Sequence, residues 1–341
     1  MRKFLYKIIP CILVAGIPVY IPLIIYLFYI KPYISGDLDA LSMIPFPKEY
    51  VKQDLNFKKK FIDCNYNEIP SDSCILVIGD SFSQSWDGTT TTYVNYLAEK
   101  SNLPIYNLVS DWGENSIYRF LHIARKEKLP PIVIIESVER EIKQRFEGTN
   151  VNISNAQLDS IVDSWGSSNE KINDSNIKKS QELIRKRFFK HDSGVKTLSL
   201  KYPLFSLDKE KSYQLFIYNG DLDFVFDTIN YTKIISTLKE ASTIAKEQKC
   251  EIFFLIAADK YDVYYPYIKN NPYPINNTLD SIIYKTNGFN IINSKDTLSI
   301  MIEEGVKDVY WCNNTHWSPI GSKAVGEFVS QRIKTRLISQ E

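Results

Sequence analysis

Short continuous apolar segments alternate with amphipathic segments along most of the chain, a pattern typical of an α/β protein. Three apolar segments have the character of strands buried on both faces of a parallel sheet, at residues 74–79, 131–136 and 251–258. Shorter strands are predicted at residues 104–108 and 291–292. Helices are predicted at residues 93–100, 115–127, 227–248 and from residue 318 onward. We therefore expect a parallel sheet covered by helices.

The hydropathy pattern divides the chain into three parts. Residues 1–31 form a charged tip and an apolar segment, and residues 32–72, rich in Pro, Lys and Asp, are interpreted as a stalk. Residues 73–335 form the α/β domain, in which the polar stretch at about 147–225 is interpreted as an insertion.

The apolar segment near the amino terminus is long enough to cross a membrane. The 21 residues from Pro10 to Ile30 carry no charge, and a helix needs about 20 residues to span a bilayer. A cleaved signal peptide is the alternative. Signal peptides have a shorter apolar core followed by a small-x-small cleavage site, and no such site follows the apolar segment of this chain. Cations precede the segment, which favours a cytoplasmic amino terminus. We expect a single-pass transmembrane helix, with everything after residue 31 on the outer side of the membrane.

Charge and cysteine content narrow the range of functions. Lys and Arg number 41 and Asp and Glu 40, which gives a net charge of +1. Nucleic-acid binders need clustered surplus cations, so nucleic acid is not an expected partner. The 3 histidines and 5 cysteines form no C-x-x-C or H-x-x-x-H pair, so neither a metal nor another cofactor is expected. Cys64 and Cys74 could form a disulfide or stay as thiols.

The sequence Gly79-Asp80-Ser81 follows the first buried strand directly and is the clearest candidate for reactive chemistry. Open α/β sheets place their reacting groups at the carboxyl ends of parallel strands. Ser81 is therefore a candidate nucleophile whose own backbone N–H could stabilise an oxyanion. The alternative is a strand-to-loop turn capped by an aspartate or a serine.

A serine nucleophile needs a base, and His316 is the best placed of the histidines. It lies just before the last predicted helix, between Trp311 and Trp317. Aromatic rings there would hold the imidazole and exclude water, which favours a neutral base. His122 lies on a predicted helix and His191 in the polar insertion, so both are interpreted as structural or solvated.

Four separated segments resemble a known enzyme superfamily. Residues 79–81 (GDS), with a histidine late in the chain, resemble the SGNH (GDSL-type) hydrolases. Residues 314–317 (NTHW) are similar to the D-x-H-W segment of the AlgJ/AlgX-type polysaccharide O-acetyltransferases. Residues 134–140 and 254–260 resemble the E-x-VER and PDK segments of the same acetyltransferases. The resemblance implies a three-layer, SGNH-hydrolase-like α/β fold with a Ser81–His316 site.

Two features depart from the acetyltransferase pattern. The order of the D-x-H-W and G-D-S segments is reversed, and Asn314 stands where the family has the aspartate that orients the imidazole. A carboxamide oxygen can accept the Nδ1–H bond but brings no charge, and in serine proteases this replacement lowers turnover about 10⁴-fold. Asp308 is a second candidate for the missing charge.

Further candidate residues lie beyond other predicted strands. Gly113, 32 residues after Ser81, falls where the superfamily supplies a backbone N–H to the oxyanion hole, and Asn115 could add its side-chain amide. A turn with a helix N-cap is the alternative for both. For Arg140 the alternative is an ion pair with Glu136 or Glu139. The candidates for substrate contact are Asp80, Trp317, Arg140, Lys260 and Tyr261.

Together with the predicted anchor, the resemblance implies a membrane-anchored acyltransferase that O-acetylates an exported or cell-surface polysaccharide through Ser81 and His316. It also implies that the anchor lies in a bacterial inner membrane, with the catalytic domain in the periplasm. The resemblance implies a membrane-bound O-acyltransferase as the acyl-donor partner. The first alternative is an SGNH-type esterase, in which water accepts the acyl group. The second is a catalytically weakened protein that binds glycans or assists their assembly, a hypothesis that Asn314 favours.

Overall fold

A computed structural model of the chain describes residues 20–21, 38, 57–65, 68–69, 73–84, 92–109, 114–166, 194–207, 210–286 and 288–338. Its strands are β1 (Ile62–Asp63), β2 (Ile75–Gly79), β3 (Ile105–Val109), β4 (Ile132–Val138), β5 (Val195–Ser199), β6 (Gln214–Tyr218), β7 (Glu251–Ala257) and β8 (Ile291–Asn293). Six of these form a parallel sheet in the order β1-β3-β2-β4-β7-β8, and β5 and β6 form an antiparallel pair.

The helices between residues 93 and 338 are α1 (Tyr93–Lys100), α2 (Ser116–Lys126), α3 (Asn155–Gly166), α4 (Asn219–Phe224), α5 (Tyr231–Glu247), α6 (Lys260–Tyr264), α7 (Thr278–Lys285), α8 (Ser294–Glu303) and α9 (Pro319–Ile338). Seven of these helices cover the sheet in two groups. One group packs α1 and α8 against α9, and the other packs α3 and α5 against α2, with α7 on α5. The parallel α/β prediction is confirmed, because the long apolar segments are strands buried on both faces of the sheet.

The strand order places a reversal of the chain at the centre of the sheet. From β2 the chain moves outward to β3, and it then returns to the other side of β2 to form β4. Right-handed crossovers put α1 and α2 on opposite faces of the sheet as a result. In open α/β sheets, ligands bind beyond the carboxyl ends of the strands at such a switch point. Ser81 lies there, two residues after the end of β2.

The amino-terminal boundary of the domain differs from the prediction. Two residues of the predicted stalk, 62 and 63, belong to the sheet, because β1 pairs in parallel with β3. The ammonium of Lys59 also donates a hydrogen bond to the carbonyl of Ser101 at 2.9 Å. Both residues of β1 are exposed, so no apolar segment marks this edge strand in the sequence.

The predicted insertion, residues 147–225, lies between β4 and β7 and contains α3, the β5–β6 pair and α4. Residues 167–193 of this stretch lie outside the described residues.

The structure shows Cys64 and Cys250, both among the described residues, as free thiols. The disulfide between Cys64 and Cys74 that the sequence allowed is therefore not formed. Burial raises the pKa of the Cys64 and Cys250 thiols to about 12.

The predicted transmembrane anchor, Pro10 to Ile30, lies outside the described residues except for Tyr20 and Ile21, which are helical and exposed. Within the residues that are described, no helix has the length and apolar character to cross a membrane.

The contact between α9 and α1 depends on a glycine. A Cβ atom on Gly326 would lie 2.6 Å from the carbonyl oxygen of Tyr93 and 2.7 Å from the Cβ of Tyr96. Both atoms belong to the main chain of α1 or are attached directly to it, so they cannot swing away. Any larger residue must therefore separate the two helices.

We expect Gly326→Ala to lower the free energy of unfolding by about 1–3 kcal/mol, because the added methyl overpacks the helix contact. Urea titration followed by tryptophan fluorescence measures this change. Lys323→Ala, at an exposed position of the same helix, should stay within about 0.5 kcal/mol of the parent. An unchanged unfolding midpoint for Gly326→Ala would contradict the close approach.

Candidate active site

Ser81 and His316 meet at the carboxyl end of β2, although 235 residues separate them in the sequence. The Nε2 atom of His316 lies 2.7 Å from the Oγ atom of Ser81. Both residues are half-buried. A hydroxyl bonded in this way can pass its proton to the imidazole while its oxygen attacks an electrophile. The pair therefore has the geometry that nucleophilic catalysis requires.

Asn314 fixes the orientation of the imidazole. Its Oδ1 atom lies 2.5 Å from Nδ1 of His316 and also accepts a hydrogen bond from the backbone N–H of His316 at 3.0 Å. An Nδ1–H that donates to this oxygen leaves Nε2 free to accept the proton of Ser81. Asp308, the second candidate for an acid, accepts a hydrogen bond from the backbone of Ser206 at 2.8 Å. Among the described residues, the groups within hydrogen-bond reach of Nδ1 are thus neutral: the Asn314 carboxamide at 2.5 Å and the Thr315 hydroxyl at 3.4 Å.

An aromatic ring packs against the imidazole, as predicted, but the ring is that of Phe82. The centroids of the Phe82 and His316 rings lie 4.7 Å apart. Trp317, a predicted substrate contact, is buried behind Phe82 with ring centroids 4.8 Å apart. Its indole N–H donates to the hydroxyl of Tyr310 at 3.0 Å. Trp317 therefore supports the imidazole through Phe82 and does not line a substrate cleft.

Asp80 is predicted to contact substrate, but the structure buries it beneath the turn that carries Ser81. Its carboxylate accepts the backbone N–H groups of Phe82 and Val138, each at 3.0 Å, and forms an ion pair with Arg145. Burial alone would raise the pKa of Asp80, but the Arg145 guanidinium and these N–H groups hold this pKa below its usual value. Asp80 therefore joins the end of β2 to the end of β4.

Gly79 lets a second carboxyl group approach the same turn. A Cβ atom there would lie 2.6 Å from Oε2 of Glu136 and 2.7 Å from Oγ of Ser83. Glu136 uses that Oε2 to accept the backbone N–H of Asp80 at 2.8 Å. Burial, followed by the nearby charge of Asp80, raises the pKa of Glu136 well above its usual value. The turn is thus built around a residue without a side chain.

The candidate oxyanion donors have different outcomes. The backbone N–H of Ser81 has no hydrogen-bond acceptor among the described residues, so it is available to an oxyanion. Gly113 lies outside the described residues. The Asn115 prediction is corrected, because its amide donates to the carbonyl of Arg145 and to the hydroxyl of Thr149. Its Oδ1 caps the N-terminus of α2, which was the alternative interpretation.

Arg140, a predicted substrate contact, is engaged in ion pairs within the protein. Its guanidinium forms ion pairs with Asp259 at 2.6 Å and Asp221 at 3.2 Å, both of which are buried. The alternative of an ion pair is therefore correct in kind, but the partners are not the predicted Glu136 or Glu139. Glu139 instead accepts the backbone N–H of Asp259 at 3.0 Å.

Lys260 and Tyr261 are buried at the start of α6 and are corrected as substrate contacts for the same reason. The ammonium of Lys260 donates to three backbone carbonyls of the segment that precedes His316. The hydroxyl of Tyr261 donates to the carbonyl of Pro274 at 2.8 Å. Both side chains hold loops of the protein in place.

Two residues at this site were missed from the sequence. Arg145 lies in a π-helical turn, Lys143–Glu147, within a polar stretch that carries no periodic signal. Phe82 follows the candidate nucleophile directly, and an apolar residue at that position is the one signal that could have pointed to a ring against the imidazole.

Fold and site together define a parallel α/β protein with a serine–histidine pair at its switch point. The chain matches no protein-family model, and no curated protein matches it. It is similar to a solved structure described as that of a lipolytic protein of the G-D-S-L family from Desulfitobacterium hafniense DCB-2. The identity is 13%, the match covers 76% of this chain and 99% of that chain, and the TM-score is 0.36.

Buried carboxyl groups beside the site make stability depend on pH. Burial raises the pKa of Asp262 to about 7 and that of Asp259 to about 6, although Lys295 and Arg140 respectively oppose the shift. A carboxyl group that holds its proton more tightly in the folded protein stabilises it fully only below the unfolded pKa. That contribution is lost as the pH rises through the folded pKa. Asp80 acts in the opposite direction, but only in the acidic range below its usual pKa.

We therefore expect the free energy of unfolding to fall between about pH 4 and pH 7, and to fall less in Asp262→Asn. Urea titrations at stepped pH measure both slopes. Asp280→Asn is the matched control, because Asp280 also binds Lys295 but its side chain is half-exposed. The prediction is wrong if Asp262→Asn and the parent protein lose stability equally over this range.

Proposed function

We propose that the protein is a serine acyl-transfer enzyme in which Ser81 is the nucleophile and His316 the general base. The observation that carries this proposal is the 2.7 Å contact between Nε2 and Oγ at the end of β2. The free backbone N–H of Ser81 and the Asn314 oxygen on Nδ1 supply the two supporting features that the reaction needs.

The reaction proceeds in two balanced halves. The Oγ atom of Ser81 attacks the carbonyl carbon of an acyl ester while its proton moves to Nε2 of His316. The oxyanion that forms lies within reach of the Ser81 N–H, and the imidazolium then returns the proton to the leaving alkoxide. An acceptor hydroxyl next gives its proton to Nε2 and attacks the acyl-serine. The bond between the acyl carbon and Oγ breaks, the imidazolium returns the proton to Oγ of Ser81, and the acylated acceptor is released.

The identity of the acceptor separates two candidate activities. If the acceptor is a sugar hydroxyl, the protein is an O-acetyltransferase that modifies an exported or cell-surface polysaccharide. A membrane-bound O-acyltransferase would then supply the acyl group. The four sequence segments described above support this assignment, together with the predicted amino-terminal anchor. Water as acceptor makes it an esterase. Both activities share the same acyl-serine intermediate.

The neutral side chain of Asn314, which orients the imidazole of His316, favours a third candidate. This candidate is a slow enzyme, or a glycan-binding protein that keeps the architecture of the site. During the reaction the imidazole becomes positively charged, and a carboxamide stabilises that charge less than a carboxylate does. Asn314 at 2.5 Å from Nδ1 is the observation behind this alternative.

We expect a fluorophosphonate to label Ser81 covalently, as mass spectrometry of the intact and digested protein would detect. Ser81→Ala should take up no label, and His316→Gln should be labelled more slowly by about 10²-fold or more. Ser83→Ala is the matched control and should take up the label as the parent protein does. Ser83 is a buried serine of the same turn whose hydroxyl donates to the carbonyl of Asp80. Folded protein that stays unlabelled would contradict the enzyme and favour the binding protein.

If the fluorophosphonate labels Ser81, a fresh, unlabelled sample of the protein should next be incubated with p-nitrophenyl acetate, with and without an oligosaccharide. Formation of acetylated oligosaccharide supports transfer to sugar. Release of acetate alone, undiminished by the sugar, removes the transferase assignment and leaves the esterase.

Asn314→Asp should raise kcat for p-nitrophenyl acetate by about 10²-fold, because a carboxylate on Nδ1 stabilises the imidazolium that forms during the reaction. Steady-state kinetics at neutral pH measure the change. Asn313→Asp, which adds the same charge one residue away, should give no such increase. An unchanged kcat in Asn314→Asp would show that the charge on Nδ1 does not limit the reaction.

A further inference from the structure

A buried ammonium lies beneath the segment that carries the imidazole. Residues 311–316, which we call the histidine loop, contain both Asn314 and His316. The Nζ atom of Lys260 donates hydrogen bonds to three carbonyl oxygens of this loop: Trp311 at 2.7 Å, Cys312 at 2.9 Å and Asn314 at 3.2 Å. Three carbonyls of one short loop thus converge on a single cation.

The surroundings of Lys260 show that this contact is built into the fold. The residue begins α6, directly beyond β7, and its side chain is completely buried. Its Nζ atom lies 5.4 Å from the centroid of the Phe205 ring, which provides a favourable face for a cation. An ammonium has three N–H donors, which match the three carbonyls in number. Since a buried cation is costly unless it is well paired, these bonds constrain the loop strongly.

The same contact reaches the proposed reacting atoms through one residue. Asn314 gives its backbone carbonyl to Lys260 and its side-chain oxygen to Nδ1 of His316. The loop also closes on itself, because the backbone N–H of Trp311 donates to the carbonyl of His316 at 3.1 Å. A shift of the loop away from the ammonium would therefore move the imidazole relative to Ser81.

We propose that Lys260 is a positioning residue that holds the histidine loop so that Nε2 of His316 stays within hydrogen-bond reach of Oγ of Ser81. This inference rests on the proposed function of that pair. Lys260 acts through the loop and through Asn314, without touching the substrate. Its influence is on the rate of acyl transfer to Ser81 and not on the affinity for the ester.

The test replaces the ammonium with an apolar chain of similar length. We expect Lys260→Met to lower kcat for p-nitrophenyl acetate by about 10²-fold, the scale of a displacement of about 1 Å at a reacting group, with KM within about twofold of the parent value. Should Lys260→Met fail to fold, Lys260→Arg carries the same test, because a planar guanidinium cannot aim at three converging carbonyls. Lys295→Met is the matched control: its largely buried ammonium binds Asp262 and Asp280, so kcat should stay near the parent value.

A double-mutant cycle separates positioning from general damage. In a His316→Ala background, adding Lys260→Met should not slow fluorophosphonate labelling of Ser81 any further, because the group that Lys260 positions is already gone. Equal slowing in both backgrounds, or an unchanged kcat in Lys260→Met, overturns the proposal. Parent protein that takes up no label overturns the proposed function itself, so the two failures are distinguishable.

Discussion

A buried carboxylate at the centre of the sheet fixes the geometry on which the site depends. Asp80 accepts main-chain N–H groups from its own turn and from Val138 at the end of β4, and its charge is paired with Arg145. These bonds tie together the two strands between which the chain reverses direction. Because a buried carboxylate without partners would be very unfavourable, the turn has little freedom to change shape. The hydroxyl of Ser81 is presented from this fixed turn.

The imidazole is held by the same principle with the charges exchanged. A buried ammonium beneath the histidine loop binds main-chain carbonyls, whereas the buried carboxylate beneath the serine turn binds main-chain N–H groups. Each half of the site thus rests on an ion that organises backbone dipoles. Neither ion lies in an open cleft, which explains why residues that looked suited to substrate contact support the site from within.

The sequence could predict those features of the fold and the site that leave a pattern of apolar or polar residues along the chain. The strands β2, β4 and β7 were predictable, because burial on both faces leaves a continuous apolar segment. The pairing of Ser81 with His316 was predictable as a hypothesis from residue types near two strand and helix ends. The edge strand β1 was not, since both its residues are exposed. The role of Lys260 was not predictable either, because a polar residue at a strand end looks the same whether it faces a ligand or three carbonyls. For Arg140 and Asn115 the sequence offered an ion pair and a helix N-cap only as alternatives, and these are the roles that the structure shows.

The close approach at Gly326 also has a consequence for the order in which the protein matures. The histidine loop leads directly into α9, which Ser318 caps through the backbone N–H groups of Ile320 and Gly321, and α9 packs on α1 just after the serine turn. On a ribosome, the early strands and α1 emerge long before the residues of α9 do. Because domains fold as cooperative units, the Ser81 hydroxyl and the His316 imidazole can come within hydrogen-bond distance only once α9 has docked on α1. A nascent chain that has not yet added α9 would therefore lack the contact between Ser81 and His316.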